Sequence, residues 1–228
     1  MEKLNINKIN VDIVWEMIWR GWDLVRVNYL LCVVMVLAFF GGILLGQIPF
    51  IGPLISAFIA ALAPLAFLEA CSKWEKGEQS DFAEIFKVYD NKSRLNKMMP
   101  LLIINFVISS APPLLMYIPF LSGVSSMLSF LTFPVSILIS LAYPIFFFNF
   151  QSMNVSRSLA LAVEGLTKNF AAFVVSGVLL VGIAFISILA LALPFVFVAF
   201  PVIIAFNYLW YRVIYEDLVI EVKDEGII

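Results

Sequence analysis

The chain has 228 residues, of which 63% are hydrophobic and 13% charged, and its mean hydropathy is +1.03. Soluble domains carry about 25% charge, and a chain of this size has too little interior to hide so much apolar surface, so lipid must be the solvent for most of these side chains. The net charge of −2 leaves no basic footprint for nucleic acid, and the absence of histidine removes the commonest general base and metal ligand together.

In chain order, the charges fall in four clusters, 2–26, 69–97, 157–168 and 212–225, separated by three charge-free stretches, 27–68, 98–156 and 169–211. A single spanning helix needs about 20 apolar residues, so each stretch holds two spans and a turn. Breakers stand near the middle of each: Pro49, Gly52 and Pro53 in the first, Pro119 and Gly123 in the second, Pro194 in the third. Proline removes a backbone donor and ends or kinks a helix. The expected fold is an all-α integral membrane protein: one transmembrane domain over 1–228, with six spans in three hairpins. The spans are placed at about 29–47, 53–72, 98–118, 124–150, 170–193 and 195–215. The runs are too long and unbroken for barrel strands.

Hairpins return to the side they left, so both termini and the charged loops share one face. All 14 Lys and Arg lie on that face, which the positive-inside rule makes cytoplasmic. The expected location is the bacterial inner membrane with both termini inside. The five tryptophans, Trp15, Trp19, Trp22, Trp74 and Trp210, fall at the cytoplasmic span ends, where Trp prefers the headgroup level. The first span, starting after a mixed-charge segment without a cleavage site, reads as an uncleaved signal-anchor. Cys32 and Cys71 form no CxxC or zinc spacing and read as small apolar fillers.

Three short cytoplasmic helices are predicted. Over 8–26, Val11, Val14, Trp15, Ile18, Trp22 and Val25 follow helical spacing opposite Asp12, Glu16, Arg20, Asp23 and Arg26, which suits a helix lying in the interface. In the loop 73–97, Phe82, Ile85, Phe86 and Tyr89 form one stripe after Asp81, with Glu84 three residues on as in a capping box. The stretch "SRSLALAVEGLTKNF" supplies the third. Trp15, Trp19 and Trp22, with the loop stripe, are the candidate partner surface. An exposed stripe of that size must cover something: its own bundle, a partner or lipid.

An internal repeat is possible. "RVNYLL" before span 1 resembles "TKNFAA" before span 5, and aligning Asn28 with Asn169 brings Pro53 onto Pro194.

Two patches carry a family resemblance. One is "WEKGEQSDFAEIFKVY", with Gly77, Glu78, Ser80, Phe82 and Phe86; the other is "AVEGLTKNFAAFVV" with Lys168, Asn169, Phe170, Pro194, Pro201 and Tyr208. Together they resemble a broad group of small bacterial inner-membrane proteins related to the membrane domain attached to some glycerophosphodiester phosphodiesterases. The resemblance implies a multi-span membrane protein and no catalytic residues. A phosphodiesterase catalytic domain has no room here.

The sequence offers no catalytic constellation, no phosphate-binding loop and no call for a cofactor. Glu75, Glu78, Asp81 and Glu84 lack the ligand order of a calcium loop. Ionisable residues are missing from the charge-free stretches, which argues against a proton-coupled pump. The candidate intramembrane polar residues are Asn105, Asn149 and Asn207, read first as glue between helices and second as a polar substrate path. Gly42 and Gly46 form a GxxxG face on span 1, expected to pack inside the bundle. Pro64, Pro134, Pro144 and Pro201 lie inside spans 2, 4 and 6 and free backbone carbonyls there. The expected function is non-enzymatic: a scaffold, assembly factor or subunit of a membrane complex, with a protein partner or a homo-oligomer and membrane lipids around it. The alternative is a permease or lipid-handling protein.

Overall fold

The computed structural model describes residues 6–189, 194–216 and 218; the last residues of the fifth predicted span, 190–193, and most of the last charge cluster lie outside them. Among the described residues the regular structure is helical, without strands. The helices are α1 (Asp12–Arg26), α2 (Tyr29–Leu45), α3 (Ile51–Glu75), α4 (Phe82–Phe86), α5 (Lys92–Leu115), α6 (Ser122–Phe148), α7 (Val155–Lys168), α8 (Phe170–Leu189) and α9 (Phe200–Tyr215). Five segments, α3, α5, Pro119–Phe148, α8 and Phe195–Tyr215, are each long and apolar enough to cross a membrane, and α1 with α2 form a sixth candidate bent by 99°.

Boundaries follow local chemistry. Asp81 caps α4 by accepting from the Glu84 N–H at 2.7 Å, Asn91 caps α5 by accepting from Arg94 at 3.0 Å, and Asn154 accepts from Arg157 at 2.8 Å where α7 begins. α5 starts six residues before the predicted span, because Lys92, Arg94 and Lys97 continue the helix beyond its apolar part.

The chain divides into two compact units, 34–70 with 80–162, and 1–33 with 71–79 and 163–228. In the first, α2 and α3 form a hairpin whose turn needs Gly52: a Cβ there would stand 2.5 Å from the Gly46 carbonyl oxygen. Gly42 faces Ile59 and Gly46 faces Ser56, so the GxxxG face packs on α3. α5 and α6 form the second hairpin, pinned by Ser125, which donates to the Pro112 carbonyl at 2.6 Å. The rings of Phe50 and Tyr117 lie 5.1 Å apart, placing both hairpin turns at one end of this unit.

In the second unit α9 is the core. Pro201, Ala205, Tyr208, Trp210, Tyr211 and Ile214 are among its many buried residues. α1 runs antiparallel along it. At one end the Asn7 N–H donates to the Ile214 carbonyl at 2.9 Å, and at the other Gly21 lies against Val202 and Ala205. This revises the apolar face expected for 8–26. The buried face is Val14, Met17, Ile18, Gly21, Leu24 and Val25, whereas Trp15, placed on the apolar face by spacing, is about half exposed. It meets the equally exposed Trp19 edge to face at 5.9 Å. The helix buries its apolar face on another helix, so Trp15 is displaced to the rim. Trp74 and Trp210 are likewise interior residues, not headgroup anchors.

Candidate functional site

Three places gather the polar and aromatic side chains. The first surrounds Pro64 in α3. An α-helical residue at 64 would donate its N–H to the Ala60 carbonyl; proline cannot, and its ring also disturbs the turn before it. Pro64 thus frees the Ala60 carbonyl, and that carbonyl and its next two neighbours receive side-chain donors from three directions. Asn105 of α5 donates to Ala60 at 3.4 Å, a long bond, and Tyr143 of α6 donates to Ala61 at 2.9 Å. Tyr89 donates to the Leu62 carbonyl at 3.0 Å. Asn105 also donates to the Tyr143 hydroxyl at 3.2 Å and accepts from Ser109 at 3.5 Å. Three consecutive carbonyls of one helix are thus tied to three other segments.

The same device recurs at Pro201. This proline has no N–H for the Phe197 carbonyl, and Phe195–Ala199 wind as a π turn. Tyr29 donates its hydroxyl to the Phe197 carbonyl at 3.0 Å. Of the other predicted polar residues, Asn149 donates to the Ile145 carbonyl at 3.0 Å just past the end of α6, and Asn207 is half-buried on α9.

The second place is the loop stripe. α4 lasts five residues, and Lys87–Asp90 tighten into a 3-10 turn, so the four residues do not share one continuous α-helical face. Ile85 is fully buried and Tyr89 half-buried, while Phe82 and Phe86 remain about 40% exposed. Phe86 stacks between Phe82, at 4.5 Å, and Tyr89, at 5.5 Å. These rings form one wall of an apolar groove of about 320 Å³, whose other walls are α2, at Met35, Ala38 and Phe39, and α3, at Phe58, Leu62 and Ala63. Burial pushes the Tyr89 phenol up to about 12.

The third place lies where Glu75, the last residue of α3, meets α9. Arg212 pairs with Glu75 at 3.0 Å and with Glu216; Tyr208 donates to Glu75 and Tyr211 to Glu216. Each carboxylate of this set is engaged by an arginine and a tyrosine.

Sequence reasoning did not single out Asn169 as a polar site, although it is as well connected as Asn105. Asn169 is buried, accepts from the Ile9 N–H at 2.8 Å, and donates to the Asn7 carbonyl at 2.9 Å and the Gly165 carbonyl at 3.1 Å. It straps the segment before α1 to the junction of α7 and α8. Asn7 in turn caps α9, donating its side chain to the Val213 carbonyl at 3.3 Å. Both cysteines are buried and free. Among the described residues, no three His, Cys, Asp or Glu side chains are placed to hold a metal ion. No protein-family model, curated protein or solved structure matches the chain.

Proposed function

We propose that the protein is a non-enzymatic polytopic protein of the bacterial inner membrane, acting as a scaffold, assembly factor or subunit of a membrane complex. In this reading six spans form three hairpins, both termini are cytoplasmic, and the resemblance to the phosphodiesterase-associated membrane domains reflects common descent. The observation that carries it is the use of Asn105 and Tyr143. Both are spent on the carbonyls beside Pro64, so this intramembrane polar cluster supports a fixed bundle rather than a path for a solute. The exposed Trp15 and Trp19 pair on α1 is the favoured contact for a partner, because exposed aromatic pairs are typical anchors of interfaces.

The test is purification from native membranes in mild detergent. A stoichiometric complex larger than one copy is expected, and Trp15→Ser with Trp19→Ser should release it while leaving thermal stability unchanged. A clean monomer of the unaltered protein would overturn the reading. A second reading, a permease or lipid-handling protein, draws on the broken helices and on the apolar groove. The walls of that groove include neither Asn105 nor Asn207, which favours an apolar cargo over a polar one.

A further inference from the structure

We infer that the groove between α2 and α3, roofed by Phe82 and Phe86, holds one acyl chain of a bilayer phospholipid as a retained constituent of the protein. The inference goes beyond the scaffold reading and stands whether or not a protein partner is found. Three observations select the occupant. First, the walls are hydrocarbon. Among the described residues that line the groove, the one hydroxyl is that of Tyr89, and it is already committed to the Leu62 carbonyl at 3.0 Å. A ligand bearing polar groups would leave them unsatisfied there, and water needs two to four polar partners. Second, the long walls belong to α2, which carries no charge, and to α3, a membrane-crossing candidate. What surrounds these helices is lipid, so an acyl chain is the apolar molecule at hand. Third, α4 does not belong to a span, yet Phe82 and Phe86 line the groove while about 40% exposed. Asp81 caps the same short element by accepting from the Glu84 N–H, and both acidic residues are exposed, which keeps the element at the polar boundary. A chain rising from the bilayer between α2 and α3 would cover both rings.

The volume of about 320 Å³ falls at the lower end of ligand clefts, about 300–1,000 Å³. This is room for one chain rather than for a helix of a second copy.

Native mass spectrometry of the full chain purified in detergent reads the occupant directly. One phospholipid per chain is expected to survive extraction that strips α8, the span most open to lipid. Ala38→Phe with Ala63→Phe fills the groove with side chains and should lower lipid occupancy about tenfold without lowering thermal stability. Phe82→Ala with Phe86→Ala opens the roof and should lower occupancy as well, which decides the matter if the filled variant does not fold. A phosphatidylcholine bearing a diazirine in mid-chain, supplied in nanodiscs, should label 35–39, 58–67 and 82–89 in a form that resists the detergent wash. Absence of retained lipid, retention untouched by both variants, or two protein chains per particle without lipid would each overturn the inference.

Discussion

Asn105 donates to the Tyr143 hydroxyl across 3.2 Å, and between them the two side chains cover the Ala60 carbonyl, which Pro64 frees in α3, and the Ala61 carbonyl in the turn that the proline ring disturbs. The proline and the two donors form one device, so their effects should not add. Tyr143→Phe alone should cost about 1 kcal/mol, within the range of interhelical hydrogen bonds in membranes. In a Pro64→Ala background the backbone N–H returns and straightens the turn, and the same change should cost less than half as much. A double-mutant cycle on unfolding in mixed detergent micelles measures this coupling. Strictly additive costs would mean that the two side chains serve something other than the proline.

Asn169 supports a second prediction. Its amide makes three hydrogen bonds in a buried site, two of them to the segment that leads into α1. Asn169→Leu leaves the Ile9 N–H and the Asn7 carbonyl without those partners, at about 1–3 kcal/mol for each group that stays buried. Part is recovered if the segment peels away into water. Limited proteolysis should then cut before α1 in the variant and spare the unaltered protein. Equal protection in both would show that the Asn7 bonds to α9 hold the segment unaided.

The long apolar helices were legible because their signal is coarse. Charge-free runs with a proline near each midpoint divide into helices without reference to packing, and α2, α3, α6, α8 and α9 lie close to their expected places. The positions of the breaks were legible too: Pro64 and Pro201 announce freed carbonyls by their chemistry. Which residues answer those carbonyls was not legible. Tyr89, Tyr143 and Tyr29 lie 27, 82 and 168 positions away from the carbonyls they reach, and no local pattern marks a tyrosine as a donor across such a separation. The face of α1 misled for a related reason. Helical spacing groups Trp15 with Val14 and Ile18, but the buried face of α1 adds Met17, Gly21 and Leu24 to Val14 and Ile18 and leaves Trp15 half exposed. Asn169 stands out in the sequence through a possible repeat and a motif but not as a buried polar group, because a buried asparagine and an exposed one look the same in a sequence.

Tyr89 carries the pH dependence outside the spans. Its phenol ordinarily titrates near 10, and burial raises it to about 12 in the folded protein. Folding therefore favours the neutral form. This contribution is present below about pH 10 and is lost as pH climbs through about 12. Thermal stability of the unaltered protein should fall between these values by more than that of Tyr89→Phe, which has no proton to lose. The difference between the two proteins isolates this residue from the lysines that titrate in the same range. Parallel losses would place Tyr89 in water and detach it from Leu62.

The third hairpin is the demanding part of the six-span layout, because α1 lies along α9 and its exposed residues include Asp12, Arg20, Asp23 and Arg26. Each such charge would cost about 2.5–3.5 kcal/mol at a helix centre in the membrane, so α1 cannot be sunk to the midplane. Two features reduce the conflict. Arg26 pairs with Asp23 at 3.8 Å, and long arginine side chains snorkel to the boundary. Against this stands α8, with 20 residues, mean hydropathy 2.7 in its most apolar window and only 11% of that window buried. Each of its Val, Leu, Ile and Phe residues gains about 0.3–0.6 kcal/mol by insertion, and outside lipid this surface would be an association liability. In the proposed layout α8 crosses the membrane, α1 lies at its cytoplasmic boundary, and Phe195 stands at the far side. In a background with Cys32 and Cys71 replaced by alanine, single cysteines at Phe50, Ser122 and Phe195 should react with an impermeant maleimide added outside spheroplasts. A cysteine at Glu78 should react only after lysis. If positions 50 and 122 react from outside and 195 does not, α8 and α9 fold back along the inner surface with α1, and the third hairpin does not cross. Reaction at position 78 from outside would overturn all three hairpins at once.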